Sequence, residues 1–171
     1  YNEQFIPVYQ ELFSNVYDGI KQKYPDVKFG NSFALHQVLN KNLGDIVNEL
    51  AIGDFVAFSY APTDILNEIR KTPEVAIKDL NKIFEIVPNK KIGFFEISWS
   101  TSSFVQGDSI GQTIFVEKLF NFYKDNESSI EFLTWYRYTD QEANTCVTKQ
   151  QKIGDQIITV GGGSSMGTSE H

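Results

Sequence analysis

The alternation of helix-like and strand-like segments constrains the fold of this chain more than any other feature. Residues 5–24 and 36–52 carry apolar side chains at spacings of three and four, which is typical of a helix with one buried face. Residues 27–33 and 54–60 are short and mostly apolar, as expected of strands. Because residues 54–60 are almost continuously apolar, they favour a parallel strand that is covered on both faces.

The same alternation continues through the middle of the chain. The predicted elements are a short helix to about residue 70, a helix over 73–87, a strand over 91–99, a helix over 109–124 and a strand over 129–135. Pro73 suits the first turn of the longer helix, where its missing N–H costs nothing. Four strands separated by helices indicate repeated βα units and a parallel sheet.

The pattern changes after residue 138, which divides the chain into a βα region at 1–138 and an irregular loop or tail at 139–171. In the tail only residues 156–160 are predicted as a small strand. The βα region has four strands and a leading helix but no closing helix, so both edges of its sheet need cover. We therefore expect a piece of a larger βα fold.

Composition narrows the possible partners. The chain has 171 residues, of which 41% are hydrophobic, and this favours a globular domain. Its net charge of -7 and the absence of a Lys/Arg cluster argue against a nucleic-acid partner. No apolar run approaches the roughly 20 residues that span a bilayer, so we expect no membrane partner. A neutral or small polar ligand fits best.

Polar side chains near the strand ends are the candidate functional residues, because the carboxyl ends of parallel strands form the binding face of such folds. Glu96 is the most informative of them, since it lies inside the apolar run Phe94-Phe95-Glu96-Ile97. A buried carboxylate is costly unless it has partners or a task. The residues alone leave two roles open in equal measure: a catalytic Glu, and a Glu that hydrogen-bonds to its own chain.

Residues 95–102 (FEISWSTS) resemble the strand-seven motif of retaining (β/α)₈-barrel glycoside hydrolases, in particular arabinogalactan endo-β-1,4-galactosidases and related β-glycanases. Residues 24–30, 54–60 and 132–136 resemble the helix-four to strand-five junction, strand six and strand eight of those enzymes. The resemblance implies a partial TIM barrel, whose four parallel strands are equivalent to strands five to eight and are covered by helices. It also implies a secreted or periplasmic full-length enzyme.

The resemblance assigns a role to each candidate. Retaining hydrolysis uses two carboxyl groups about 5 Å apart and needs no cofactor or metal. Glu96 matches the nucleophile, and Tyr60 matches a tyrosine that hydrogen-bonds it. Trp135 matches the aromatic floor beneath the cleaved sugar, and Trp99 is a candidate second platform. His36 either contacts a sugar or a carboxylate, or caps a helix at the surface.

One expected element is missing. The acid/base Glu of such enzymes follows an Asn at the end of strand four, whereas Asn2-Glu3 has no strand ahead of it and belongs to a helix start. We therefore predict half of a catalytic pair, which is inactive alone. The alternatives are a carbohydrate-binding domain of barrel ancestry and a flavodoxin-like domain, although the latter would need a Gly-rich phosphate loop. A homo-oligomer that buries the open barrel edges is also expected.

Overall fold

A computed structural model describes residues 4–64, 68–136, 149–153 and 156–160, the last two ranges by their backbone only. The helices are α1 (Phe5–Lys23), α2 (Leu35–Asn40), α3 (Gly44–Glu49), α4 (Pro73–Ile86) and α5 (Ser109–Asp125). The strands are β1 (Gly30–Ala34), β2 (Phe55–Tyr60), β3 (Lys91–Ile97), β4 (Ile130–Trp135), β5 (Lys149–Ile153) and β6 (Gln156–Val160).

The first four strands form a parallel sheet in sequence order, β1-β2-β3-β4. The predicted mixed α/β fold with a four-stranded parallel sheet and helices is therefore confirmed. β5 and β6 form a separate antiparallel pair. β6 coincides with the strand predicted at 156–160, whereas β5 was not predicted from its polar sequence KQQKI.

Two predicted helices differ from the structure. The helix expected over residues 36–52 is two short helices, because Asn42 adopts a φ of 52°, a left-handed conformation that Asn tolerates better than most residues. The short helix expected to reach residue 70 is not present at residues 68–70. Thr63 instead forms an antiparallel bridge with Ile69, whose N–H donates to the Val105 carbonyl at 2.8 Å. Residues 65–67 lie outside the described part of the chain.

Helices pack on one face of the sheet, which we call the helix-covered face. The strand residues buried there include Val56, Phe58, Tyr60, Ile92, Phe94 and Ile97. The helix residues packed against them include Leu35, Val47, Leu80, Ile83, Phe115 and Leu119. Each of these side chains contributes roughly 1.5–3 kcal/mol through its burial. This layer is the core of the described domain.

The opposite face of the sheet, which we call the open face, has no described helix packed on it. Near the strand starts, Phe55 and Phe132 meet edge to face at 5.4 Å between ring centroids. Gly93 lies between them in the sheet, and a Cβ there would stand 2.5 Å from the Phe132 ring. Lys28, before β1, forms an ion pair with Glu131 of β4. Because two strands separate these partners, their contact is made across the open face of a curved sheet.

Helix α1 contacts the rest of the domain mainly through its C-terminal half, near the ends of the sheet strands where β1 and β2 begin. Phe13, its one buried residue, stacks on Phe29 at 5.2 Å. Tyr17 and Lys21 both bind the Asp54 carboxylate, at 2.9 Å and 2.8 Å.

None of the described helices combines the length and the apolarity needed to cross a membrane.

Candidate functional site

Glu96 reaches the open face because β3 contains a bulge. Its neighbours Phe94 and Ile97 are both fully buried on the helix-covered face, so two residues, Phe95 and Glu96, lie between them. The register with β2 shifts there: Phe58 pairs with Phe94, and Ser59 pairs with Glu96. Plain alternation would have placed Glu96 beside Phe94 in the core. Bulges re-aim side chains in this way, often next to active sites.

Polar residues lie beside Glu96 on both neighbouring strands, and an aromatic residue precedes it on its own strand. Ser59 is its partner on β2, and Thr134 is exposed on β4 between the two inward-packed residues Leu133 and Trp135. Phe95, on the same bulge, is 42% exposed. Glu96 itself is half-buried, and no ion pair or side-chain hydrogen bond joins it to another described residue. Glu96 is therefore a partly desolvated carboxylate near the carboxyl end of the sheet, where parallel-sheet folds often bind ligands.

Tyr60 does not lie beside Glu96, and the predicted hydrogen bond between them is wrong. Tyr60 pairs with Ile97 on the helix-covered face, where it is 1% exposed. Its hydroxyl donates to the Asp79 carboxylate of α4 at 3.0 Å. Burial raises the pKa of Tyr60 far above its ordinary range, and the charge of Asp79 and their hydrogen bond raise it further. Tyr60 is thus a core residue held by Asp79.

Asp79 is the centre of a buried polar cluster that the sequence analysis missed. It is 4% exposed and accepts contacts from Lys71 at 2.5 Å and from Lys82 at 3.3 Å, in addition to Tyr60. Asp79 occupies a position in the apolar stripe of α4 that also holds Ala76 and Ile83. A charged residue in a buried stripe is the sequence feature that would have revealed this cluster.

Trp99 and Trp135 are also on the helix-covered face. The Trp99 ring packs on Phe115 of α5 at 5.0 Å between centroids, and the Trp135 ring packs on the same Phe115 at 6.3 Å. Trp99 is buried and Trp135 is half-buried. Neither ring can therefore form a sugar platform beside Glu96 in this arrangement, which corrects the prediction made from the resemblance. Phe95 is the aromatic residue that shares the bulge with Glu96.

His36 begins α2 and is half-buried. Burial lowers its pKa, and the positive charge of nearby Lys71 lowers it further. Because Lys71 also binds Asp79, His36 lies near the Asp79 cluster, and no contact between His36 and Glu96 is found among the described residues.

Within the described ranges, no group of three or more His, Cys, Asp or Glu side chains is arranged to hold a metal ion. Comparisons with known protein families, with curated proteins and with solved structures find no match to this chain. The class that the fold defines is thus a mixed α/β protein with a parallel sheet covered by helices on one face. Any assignment of function depends on the residues of the open face.

Proposed function

We propose that the open face binds a carbohydrate and that Glu96 is the nucleophile of a retaining β-glycoside hydrolase. The bulge that turns Glu96 out of the core and onto the open face is the observation that carries this proposal. Retaining hydrolysis needs an ionised carboxylate that can attack the anomeric carbon. A half-buried Glu without a partner among the described side chains suits that task better than a structural one.

The proposal includes a partial (β/α)₈ barrel, in which β1 to β4 are equivalent to strands five to eight. Three observations support it: the sequential parallel strand order, the packing of the described helices on one face of the sheet, and the curvature implied by the Lys28–Glu131 ion pair. The open face is also layered like a barrel interior, with Phe55 and Phe132 near the strand starts and Glu96 near the strand ends.

In this proposal the residues around Glu96 act on the sugar and not on the carboxylate. Ser59 and Thr134 supply hydroxyl groups that can hydrogen-bond to sugar hydroxyls on either side of Glu96. The exposed Phe95 ring can pack against the C–H face of a pyranose. The Glu96 carboxylate then attacks the anomeric carbon and displaces the glycosidic oxygen as leaving group, which forms a glycosyl ester. Water cleaves this ester in a second step and releases the sugar and free Glu96.

We expect the second carboxyl group of the reaction to come from outside the described residues. Glu131 is acidic and lies on the open face, but it is near the strand starts and is paired with Lys28. We therefore expect slow or undetectable hydrolysis of natural glycosides, whose leaving groups must be protonated. The lack of a second carboxyl group beside Glu96 among the described residues also favours a second candidate function, a carbohydrate-binding domain without catalytic activity.

An activated substrate separates the two candidates, because a good leaving group needs no acid. The chain is incubated with 2,4-dinitrophenyl 2-deoxy-2-fluoro-β-glycosides of several common sugars, and intact and digested protein are examined by mass spectrometry. The expected result is one covalent sugar on the peptide that contains Glu96. Glu96→Gln should abolish the label, and Glu131→Gln, a matched change at the far end of the same face, should keep it.

Each other outcome is informative. Saturable binding of the parent sugar without labelling would support the binding domain and overturn the nucleophile assignment. Labelling that survives Glu96→Gln would place the nucleophile elsewhere. Neither labelling nor binding with any sugar of the panel would overturn the carbohydrate proposal as a whole.

A further inference from the structure

The indole N–H of Trp99 has no hydrogen-bond partner among the described residues, although its nitrogen is buried. Trp99 is 5% exposed, and its ring packs on Phe115 of α5 at 5.0 Å between centroids. Gln112, also on α5, donates from Nε2 to the Trp99 carbonyl at 2.7 Å. These two contacts fix the indole against α5. A buried donor without a partner costs free energy, so the space beside it is a candidate position for a ligand group.

The unpartnered N–H edge lies at the first turn of α5. A Cβ on Gly111 would stand 3.3 Å from Trp99 Nε1 and 3.3 Å from Asp108 Oδ2. Asp108 is the N-cap of α5, and its other oxygen, Oδ1, accepts from Gly111 N at 2.7 Å. Because Gly111 has no side chain, one donor and one carboxylate oxygen face the same point beside the helix. Asp108 is exposed and Gly111 is half-buried, so this turn of the helix borders solvent.

A free donor beside a carboxylate oxygen selects the chemistry of the ligand. A helix N-terminus alone favours an anion, but the Asp108 carboxylate already occupies this one and would repel a second negative charge. A cation would meet a single carboxylate oxygen and the positive end of the Trp99 N–H dipole. A hydroxyl group both donates and accepts, so it can bind Asp108 Oδ2 and Trp99 N–H together.

We propose that Trp99, Asp108 and Gly111 form a subsite for a hydroxyl group of a sugar. Helix α5 begins at the end of the loop that follows β3, so this subsite lies at the same end of the sheet as Glu96, on the helix side. The indole acts here through its N–H edge and not as a stacking platform. A small rotation of the exposed Asp108 carboxyl group, which keeps the bond from Gly111 N, admits the sugar oxygen to Nε1. The choice of a sugar over other hydroxyl compounds rests on the proposed function.

The indole N–H itself reports on this subsite. The two tryptophans of the chain give two indole signals in a nitrogen–proton correlation spectrum, and Trp135→Phe assigns them. The full chain is titrated with the methyl β-glycosides of common sugars and with the matching β-1,4-linked disaccharides. We expect at least one of these sugars to move the Trp99 indole proton saturably to higher frequency, because the N–H gains an acceptor. Sodium sulfate and glycerol at the same concentrations are the controls for an anion and for a simple polyol.

Two variants test the geometry, each with a matched control. Gly111→Ala places a methyl group between Nε1 and Oδ2 and should abolish the shift, whereas Gly19→Ala, whose methyl group meets nothing within 4 Å, should bind like wild type. Asp108→Asn keeps an oxygen for Gly111 N but loses the charged acceptor, so it should raise the dissociation constant of the sugar by roughly tenfold. Asp125→Asn, at the other end of α5, should leave the dissociation constant unchanged. Circular dichroism establishes that each variant is folded.

Each other result would overturn the subsite. No saturable shift of the Trp99 signal with any sugar of the panel would remove it, and a shift that survives in folded Gly111→Ala would place the sugar elsewhere. A shift with sulfate, or an equal shift with glycerol, would overturn its assignment to a sugar. The labelling of Glu96 is read separately. Labelling without a Trp99 shift would remove only this subsite, whereas a Trp99 shift without labelling would keep the subsite and remove the nucleophile.

Discussion

Tyr60 and Glu96 show that a shift of one residue along a strand decides whether a side chain lies in the core or on the open face. Ser59 and Tyr60 are neighbours in β2, yet Ser59 pairs with Glu96 on the open face and Tyr60 pairs with Ile97 in the core. The resemblance to glycoside hydrolases matched Tyr60 by its position at a strand end, which does not specify the face. The Tyr60 hydroxyl instead satisfies a buried carboxylate, Asp79, that needs hydrogen-bond donors.

We predict that Tyr60→Phe lowers the free energy of unfolding by about 1–2 kcal/mol, because it removes one donor from the buried Asp79. Labelling of Glu96 by an activated glycoside should not change, since Tyr60 lies on the other face. Urea denaturation gives the stability, and Tyr9→Phe, in a half-buried ring of α1, is the control that should change little. If Tyr60→Phe kept the wild-type free energy of unfolding but lost the labelling of Glu96, Tyr60 would instead act in the binding site.

Asp54 makes the stability depend on acid pH. Hydrogen bonds from Lys21, from the Phe29 N–H and from Tyr17 lower its pKa from 3.8 to about 2. The carboxylate therefore stabilises the folded state above pH 3.8, and this contribution is lost as the pH falls through about 2. We predict that Asp54→Asn is less stable at neutral pH and loses less stability than wild type between these two values.

Thermal unfolding from about pH 2 to pH 7 measures this effect, since linkage makes the slope of stability against pH report the protons taken up. Asp125→Asn, at the exposed end of α5, is the matched control and should follow the wild-type curve. Parallel curves for Asp54→Asn and wild type would contradict the assignment to Asp54.

At the scale of elements, the sequence predicted what local periodicity determines. The bounds of α1, α4, α5 and the four parallel strands lie within a few residues of the predicted ranges, because apolar spacing and caps such as Asp108, which accepts from Gly111 N at 2.7 Å, are local features. The β3 bulge was not predictable in this way. It depends on the partner strand, and it decides that Glu96 leaves the core, whereas Trp135 stays with the helices through the ordinary alternation of β4 with Leu133.

Gly93 tests the packing of these elements. We predict that Gly93→Ala costs about 1–3 kcal/mol, because its Cβ would lie 2.5 Å from the Phe132 ring and force it away from Phe55. Gly19→Ala in α1 is the control with the opposite sign: nothing lies within 4 Å, so it should gain about 0.5–1 kcal/mol of helix stability.

Urea denaturation of both variants gives the two free energies directly. The double variant Gly93→Ala/Phe132→Leu should recover part of the loss, since a smaller side chain leaves room for the new methyl group. Equal losses in the single and double variants would show that the strain is in the backbone and not in the ring.

At the scale of the whole molecule, the charges and apolar surfaces of the described residues are arranged around a four-stranded parallel sheet. One face is packed with helices, and the other is lined by an aromatic pair, an ion pair and a bulge-borne Glu. The sequence predicted four strands and no helix after the fourth, because strands and helices can be counted from the local spacing of apolar residues. It did not show that Leu12 of α1 and Phe120 of α5 are each 60% exposed, since apolar spacing predicts that a helix has an apolar side but not which neighbour covers that side.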